Sequence, residues 1–412
     1  MSRVYFLLAF LLVYFLVDFY VFQIVRQLTS ESSLLTKRAW LMIYWGFSLV
    51  AFLGVIFYNQ LDPIVFKGLR LFLISFFFTN LIAKLFASLV LLGDDIRRGV
   101  TWIAQFISSD DGKVSNSRSD FVAKAALITG AVPLATISFG IISGAHDYRV
   151  RRRTIYFPNL PKSFDGIRIG QLSDIHTGSF FNKVAVQGGV DMLNREKADL
   201  VCFTGDLVNN QSNEAKEYLD VFKKVKGDLG VFSIMGNHDY GDYRAWNSPE
   251  AKLQDVKNLH QMHAYMGWDL LLNENRNIKV DGEDIALLGN ENWGAGRFSK
   301  YGDLKKTYAG TEETPFKILM SHDPSHWDAE IRQDFSDIDL TLAGHTHGMQ
   351  FGVEIGGFRW SPAKFIYKQW ADLYQQGSQY LYVNRGFGYI GYPGRIGILP
   401  EITILELRKG VG

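Results

Sequence analysis

The chain has 412 residues, a net charge of +1 and a single cysteine, Cys202. That length is too great for one average domain, and the balanced charge excludes a global field that would draw the protein to nucleic acid or to acidic partners. One cysteine excludes an intramolecular disulfide and any cysteine-based metal site.

The apolar residues are gathered at the N-terminal end. Segments 4–25, 39–58, 71–92 and 122–145 are apolar with few interruptions, and each is close to the roughly 20 residues that cross about 30 Å of hydrocarbon. The first run is too long for a cleavable signal peptide, and no A-x-A site follows it. Four such segments with short connections predict a transmembrane region over residues 1–148, a multi-pass protein whose first partner is the lipid bilayer. Asp18 and Lys84 fall inside spans, where ionisable groups are costly and usually paired or functional. A packing contact is the favoured reading of both. Residues 102–107 (WIAQFI), between the third and fourth spans, fit an interfacial segment or a loop packed on the other spans. The densest basic cluster, RVRRR at 149–153, directly follows the last span. By the positive-inside rule it places the C-terminal domain on the cytoplasmic side.

After Arg153 short apolar β-rich runs alternate with amphipathic stretches. Strands are predicted over 167–172, 200–204, 231–235, 285–288, 316–321, 340–343, 380–383 and 402–407, and helices over 184–195, 213–225 and 249–266. This alternation predicts one α/β domain over 149–412 with a central sheet covered on its faces.

Five of the runs end in residues suited to metal binding. They are Ser173-Asp174-Ile175-His176, Gly205-Asp206, Gly236-Asn237-His238-Asp239, His322-Asp323 and Gly344-His345-Thr346-His347. Singly each is weak, since a lone Gly-Asp is usually a turn. Five in order, each at the end of a predicted strand, point to a shared site, because ligands of open α/β sheets bind at the carboxyl ends of strands. Carboxylate, imidazole and amide oxygens suit divalent ions such as Mn²⁺, Fe²⁺ or Zn²⁺. A carboxylate bridging two such ions holds them about 3.5–4 Å apart, the spacing used for in-line phosphoryl displacement.

The five motifs, D-x-H, G-D, G-N-H-D, a lone H and G-H-x-H, resemble those of the calcineurin-like metallophosphoesterases across essentially residues 153–407. The ending, with Asn384-Arg385-Gly386-Phe387-Gly388, Arg395-Ile396-Gly397 and Pro400-Glu401-Ile402, is similar to the membrane-associated subgroup, which includes cell-envelope phosphoesterases and certain UDP-2,3-diacylglucosamine pyrophosphatases. The resemblance implies a four-layer α/β/β/α sandwich behind the four-helix membrane region, and two divalent metal ions. It implies that Asp174, His176 and His347 hold one metal, that Asn237, His322 and His345 hold the other, and that Asp206 bridges them. His238 matches the family histidine that contacts phosphate and protonates the leaving oxygen, with Asp239 orienting it. Met349 departs from the subgroup, which often has a second glycine there, so the shape of that loop is expected to differ.

Weaker candidates for substrate contact are Asn209, Asn210, Tyr240, Trp293, Arg297 and Arg385, with arginine suited to phosphate by its planar donors. His260, His263, His326 and His146 match no motif and read as packing or surface residues. Tethering favours a lipid-linked phosphodiester or pyrophosphate as substrate. The rival readings are a metal-binding membrane sensor or scaffold, a transporter with a soluble appendage, and a nuclease. The transporter is disfavoured by sparse polar content in the spans. No nucleic-acid partner is expected, because no basic or aromatic stripe accompanies the motifs.

Overall fold

The computed structural model describes residues 2–61, 66–108, 119–296 and 298–411. Contacts divide the chain into two units, Met1–Ile141 and Ile142–Gly412.

The first unit holds the helices α1 (Ser2–Leu28), α2 (Leu34–Phe57), α3 (Lys67–Ser108) and most of α4 (Asp120–Ile142). Among the described residues, four helices are long and apolar enough to cross a membrane, and many of their large apolar side chains face outward, among them Leu12, Phe19, Met42 and Leu89. α3 has 42 residues, about 63 Å at 1.5 Å per residue, twice a bilayer's hydrocarbon thickness. The helix therefore runs on well beyond the predicted third span, through Asp94, Asp95, Arg97 and Arg98. The 102–107 stretch is its last part, with the Trp102 and Phe106 rings stacked at 5.9 Å on one helix face. Asp18 and Lys84 form a buried ion pair. Lys84 Nζ also donates to Ser48 Oγ at 2.8 Å, and Tyr44 Oη donates to the Asp18 carbonyl at 2.7 Å. One polar knot thus ties α1, α2 and α3, and packing accounts for both charges.

The second unit begins, after the turn at Gly144–His146, with β1 (Arg149–Phe157) and β2 (Arg168–Leu172). It continues through α5 (Lys183–Arg195), β3 (Leu200–Phe203), α6 (Leu219–Phe222), β4 (Val231–Ser233), α7 (Pro249–Met266), β5 (Asp269–Leu270), β6 (Glu274–Val280), β7 (Glu283–Gly289), α8 (Leu304–Tyr308) and β8 (Lys317–Met320). It ends with β9 (Leu340–Ala343), β10 (Val353–Ile355), β11 (Phe358–Trp360), β12 (Asp372–Gln376), β13 (Gln379–Val383) and β14 (Glu401–Lys409). One six-stranded sheet runs β1-β14-β2-β3-β4-β5, the other β12-β13-β9-β8-β7-β6. The two pack face to face through Ile169, Leu200, Cys202 and Leu405 on one side and Ile285, Ile318, Leu340 and Tyr382 on the other. Val186, Val190 and Leu193 of α5 and Leu259 of α7 cover the outer face of the first sheet. Leu304, Trp327 and Phe335 cover the second. This is the expected four-layer α/β/β/α arrangement.

Two local expectations need correction. The helix expected over 213–225 is reduced to a 3₁₀ turn at Ser212–Ala215 and the single turn α6. The RVRRR cluster is not a free juxtamembrane patch but strand β1, paired in parallel with β14. Arg151 pairs with Glu354, Arg152 with Glu196 at 2.5 Å, and Arg153 with Asp372 at 2.8 Å. Fixed carboxylates already neutralise these charges, which removes most of their weight as an orientation signal.

Candidate metal centre

β2, β3 and β4 are mutually parallel, as are β8 and β9, so the loops leaving their carboxyl ends meet at one edge of the sandwich. Asp174 and His176 follow β2, Asp206 follows β3, Asn237 and His238 follow β4, His322 follows β8, and His345 and His347 follow β9. Gln171 Nε2 bridges the sheets by donating to the Ala343 carbonyl at 2.9 Å. Close approach of these loops needs glycine. A Cβ on Gly236 would lie 2.3 Å from Asp206 Oδ1, and one on Gly344 would lie 1.9 Å from Ser173 Oγ.

Five of the motif residues, Asp174, His176, Asp206, His345 and His347, have φ between 50° and 69°. Left-handed backbone is uncommon outside glycine and costs about 1–3 kcal/mol where non-glycine residues are held in sparsely populated regions. Its concentration here shows that the surrounding sheets force these side chains inward together.

Two groups form around nearly common points. The ligand atoms of Asp174, His176 and His347, and those of Asp174, Asp206 and His322, each lie within 4.8 Å of one another. His176 Nε2 is 3.0 Å from His347 Nε2, and His347 Nε2 is 3.2 Å from Asp174 Oδ1. Asp206 Oδ2 stands between the groups, 3.5 Å from His176 Nε2 and 3.3 Å from His322 Nε2. The far ring nitrogens are engaged by carbonyls, His176 Nδ1 with Val208 O at 3.2 Å and His322 Nδ1 with Thr204 O at 2.7 Å. A ring that donates from Nδ1 leaves the Nε2 lone pair facing the centre. Asn237 Nδ2 donates to Tyr243 Oη at 2.9 Å, turning Oδ1 inward. His322 Nε2 and Asn237 Oδ1 are buried without a hydrogen-bond partner. Such orphans are expensive unless something occupies the point they face. The residues fit divalent metal ions: oxygen and imidazole donors, buried and converging.

Electrostatics agree. Although burial opposes charge, His322, His238 and His176 hold the Asp206 carboxyl well below the usual carboxylate range. Burial likewise opposes protonation of His322, yet Asp206 and Asp174 push it up to about 10: the two carboxylates favour positive charge at this point, where a bound cation would take the place of the proton. Burial pulls His176 down to about 3, keeping its ring neutral and ready to donate a lone pair.

His345 and His238 are half-buried. His345 N donates to both carboxylate oxygens of Asp174 at 3.0 Å, and Tyr367 Oη lies 2.9 Å from its Nε2. His238 N donates to Asp206 Oδ1 at 2.9 Å, and its Nδ1 meets the Asn209 carbonyl at 2.7 Å. The expectation that Asp239 orients His238 is therefore corrected. The Asp239 carboxylate instead accepts from the backbone N–H groups of Asp206, Leu207, Val208 and Gly236 at 2.8–3.1 Å. It clasps the loop that presents Asp206, while the Asn209 carbonyl fixes His238.

Other candidates change role. Arg385 is fully buried, with Glu401 at 2.6 Å and Glu354 at 2.7 Å; it ties the turn after β13 and cannot reach substrate. Asn209 contributes its carbonyl, and its side chain donates to Ser179 Oγ at 3.0 Å. Tyr240 stacks on Tyr301, and Trp293 stacks on His326. Arg297 lies outside the described residues. His263 and His326 are packing residues, bonded to Ser233 and Ser321. Met349 does shape its loop: with His347, Gly348 and Gln350 it makes four successive residues of positive φ.

A cavity of about 410 Å³ opens over the centre. Its polar floor includes His176, Asp206, Asn237, His238, His345 and His347, and its wall is apolar, including Phe298, Met349, Ile366, Ile390 and Tyr392. Apart from Met349, these wall residues carry no motif. Only their place on loops beside the strand ends brings them here, so sequence reading missed them.

Fold and centre together define a metallophosphoesterase. The family model for "Calcineurin-like phosphoesterase" matches residues 167–349, and that for "Probable Calcineurin-like phosphoesterase, transmembrane domain" matches residues 2–145. The chain belongs to the calcineurin-like phosphoesterases that carry a four-helix transmembrane domain, a class of metal-dependent phosphoester hydrolases. A metallophosphoesterase of Bacillus subtilis (strain 168) is 29% identical over 269 residues, covering 64% of this chain and 87% of that protein. A "transmembrane protein with metallophosphoesterase domain" from Danio rerio is 32% identical over 280 residues, covering 66% of this chain and 60% of the relative. Its counterpart from Bos taurus is 28% identical, with 65% and 59% covered. The chain thus spans about three-fifths of the length of these two vertebrate relatives.

Proposed function

We propose that the chain is a membrane-anchored, two-metal phosphoesterase that cleaves a phosphodiester or pyrophosphate bond in a lipid-linked or cell-envelope substrate. The observation that carries this reading is the convergence of His176 Nε2, His347 Nε2, Asp174, Asp206 and the orphaned His322 Nε2 and Asn237 Oδ1 on two adjoining points. Asp174, His176 and His347 would hold one ion, Asn237, His322 and His345 the other, with Asp206 between them. Two divalent ions there would supply a nucleophile from water near neutral pH and offset charge on the phosphoryl oxygens.

The rest of the chemistry belongs to the chain. His238, half-buried at the cavity floor with Nδ1 fixed by Asn209 O, presents Nε2 to the leaving oxygen as a proton donor. Asp239 holds the Asp206–Val208 backbone in place. The apolar wall excludes water and suits a leaving group with a hydrocarbon part. The alternative, a membrane sensor that keeps a metal site, does not need a histidine fixed beside that site.

Removal of metal tests the core of the proposal. Purified full-length protein should contain about two transition-metal ions per chain and hydrolyse bis(4-nitrophenyl) phosphate, with Mn²⁺ serving well. Exhaustive chelation should abolish the activity and metal should restore it. Full activity in the chelated, metal-free protein would end the proposal.

A further inference from the structure

Beside the cavity the surface is unusually apolar. Among the described residues after Ile142, fifteen large apolar side chains are exposed, and seven of them lie between Met349 and Ile366. The hairpin β10–β11 accounts for much of this. In its antiparallel register Val353 faces Trp360, Glu354 faces Arg359, and Ile355 faces Phe358. Directly paired residues share a face and alternate ones share it too. Glu354 and Arg359 therefore point one way, where Glu354 pairs with Arg151 and with Arg385 at 2.7 Å and Arg359 with Asp372 at 3.1 Å. The opposite face presents Val353, Ile355, Phe358 and Trp360, with Ile355 73% and Phe358 63% exposed. Phe365 and Ile366, 74% and 64% exposed, follow in the next turn. Ile366 and Met349 also line the cavity, so the patch runs into its mouth.

Anchoring says what covers this face. Of the three basic side chains in residues 349–371, Arg359 lies on the inner face with Asp372 and Lys368 pairs with Asp328 at 3.1 Å, which leaves Lys364, over the Phe365 ring, at the margin. An exposed apolar face with a lysine at its edge, on a chain whose other unit carries four helices apolar enough to span a membrane, matches a bilayer surface. A chain anchored by spans also meets its own bilayer at high effective concentration.

We propose that the outer face of β10–β11, with Phe365 and Ile366, docks into the headgroup and upper acyl layer of the bilayer and sets the mouth of the cavity at the lipid surface. The docking stands apart from the hydrolase reading; only its consequence, delivery of lipid-linked substrate, rests on that reading.

Site-specific labelling of the full-length protein in nanodiscs of phosphatidylcholine and phosphatidylglycerol tests it. Cys202 is buried, so Ile355→Cys and Phe358→Cys each provide one accessible thiol for an environment-sensitive dye. Leu253→Cys, on α7 and 57% exposed, is the control. At 355 and 358 emission should shift to the blue, and brominated acyl chains should quench it at least about twofold more than at 253. Quenching equal to that at 253 overturns the proposal, as does a blue shift without quenching, which would mark a protein partner or a second copy. In the same discs, Ile355→Asp/Phe358→Asp should lower hydrolysis of an aryl phosphodiester bearing a hexadecyl chain by about tenfold, and that of bis(4-nitrophenyl) phosphate by less than about twofold. Equal losses on both would overturn the delivery role. If the unmodified protein hydrolyses neither, the hydrolase reading fails while the quenching result still decides the docking.

Discussion

The two units bury polar groups for different reasons. In the membrane unit, Asp18 and Lys84 satisfy each other, and Ser48 and Tyr44 take up the remaining bonds. The knot is closed, and its effect is to specify how α1, α2 and α3 pack. In the catalytic unit, Asp174, His176, Asp206, Asn237, His322 and His347 are equally buried, yet Asn237 Oδ1 makes no hydrogen bond and His322 Nε2 makes none beyond its 3.3 Å approach to Asp206. A buried charge whose partners are complete reads as structure. A buried cluster with unsatisfied atoms aimed at shared points reads as a site for something else. Burial alone does not separate the two cases; the count of unmet bonds does.

The largest effect expected on this contrast comes from Asp206→Asn. Removing charge between the two groups should empty both metal positions and lower activity by 10³-fold or more, on the order of a lost electrostatic anchor. His238→Ala should instead keep about two metals per chain and lose about 10²–10⁴ in rate, less with very good leaving groups. Metal analysis beside steady-state kinetics checks both. A metal-free His238→Ala protein would move that residue into the ligand set.

The closed knot is tested next. Lys84→Met should leave Asp18 buried without its partner and lower stability by about 3–5 kcal/mol, whereas Asp18→Asn/Lys84→Met should recover much of the loss. Thermal unfolding in nanodiscs reads both. A double variant as unstable as the single would mean that the charges serve more than packing.

A smaller effect is expected at Asp372. Although burial opposes its charge, Arg153, Arg385 and Arg359 hold its carboxyl well below the usual carboxylate range. A depressed folded-state pKa gives stability that is present above the unfolded value, about 3.9, and lost as pH falls through it. Asp372→Asn should therefore cost about 1.5–3 kcal/mol at pH 7, and the gap from the unmodified protein should narrow as pH falls below about 4. A gap independent of pH would show that the carboxylate's shape, not its charge, matters.

The smallest change is expected at Glu214, which accepts from Asn209 N at 2.6 Å and so supports the carbonyl that fixes His238. Glu214→Gln should lower kcat by only about threefold to tenfold for poor leaving groups, and leave good ones untouched. A uniform loss for all leaving groups would assign Glu214 to general loop stability.

Some of this was legible from sequence for identifiable reasons. The runs 340–343 and 249–266 correspond to β9 and α7, because the first is a short, mostly apolar run closed by Gly344 and the second has Ser248 as cap, Pro249 at its start and Gly267 at its end. β1 was misread because its run of arginines resembles a membrane-flanking cluster; only pairing with β14 at the far end of the chain makes it a strand, and the carboxylates of Glu354, Glu196 and Asp372, 44 to 219 residues away, neutralise it. Arg385 looked like a phosphate contact for the same reason: local composition cannot show that Glu401 and Glu354 enclose it.

The sequence by itself determined the division into an apolar four-span region and an α/β domain, since period and hydropathy are local properties. It also determined the kinds of ligand available and their order along the chain. Only the tertiary structure decided which atoms meet. Packing the two sheets forced five motif residues into left-handed backbone, set Asp206 between the two groups, and gave Asp239 to the loop in place of His238. It also brought Phe298, Ile366 and Tyr367 to the cavity and left one face of β10–β11 uncovered. These outcomes depend on long-range closure between segments that carry no mutual signal in the chain, so no local pattern could have announced them.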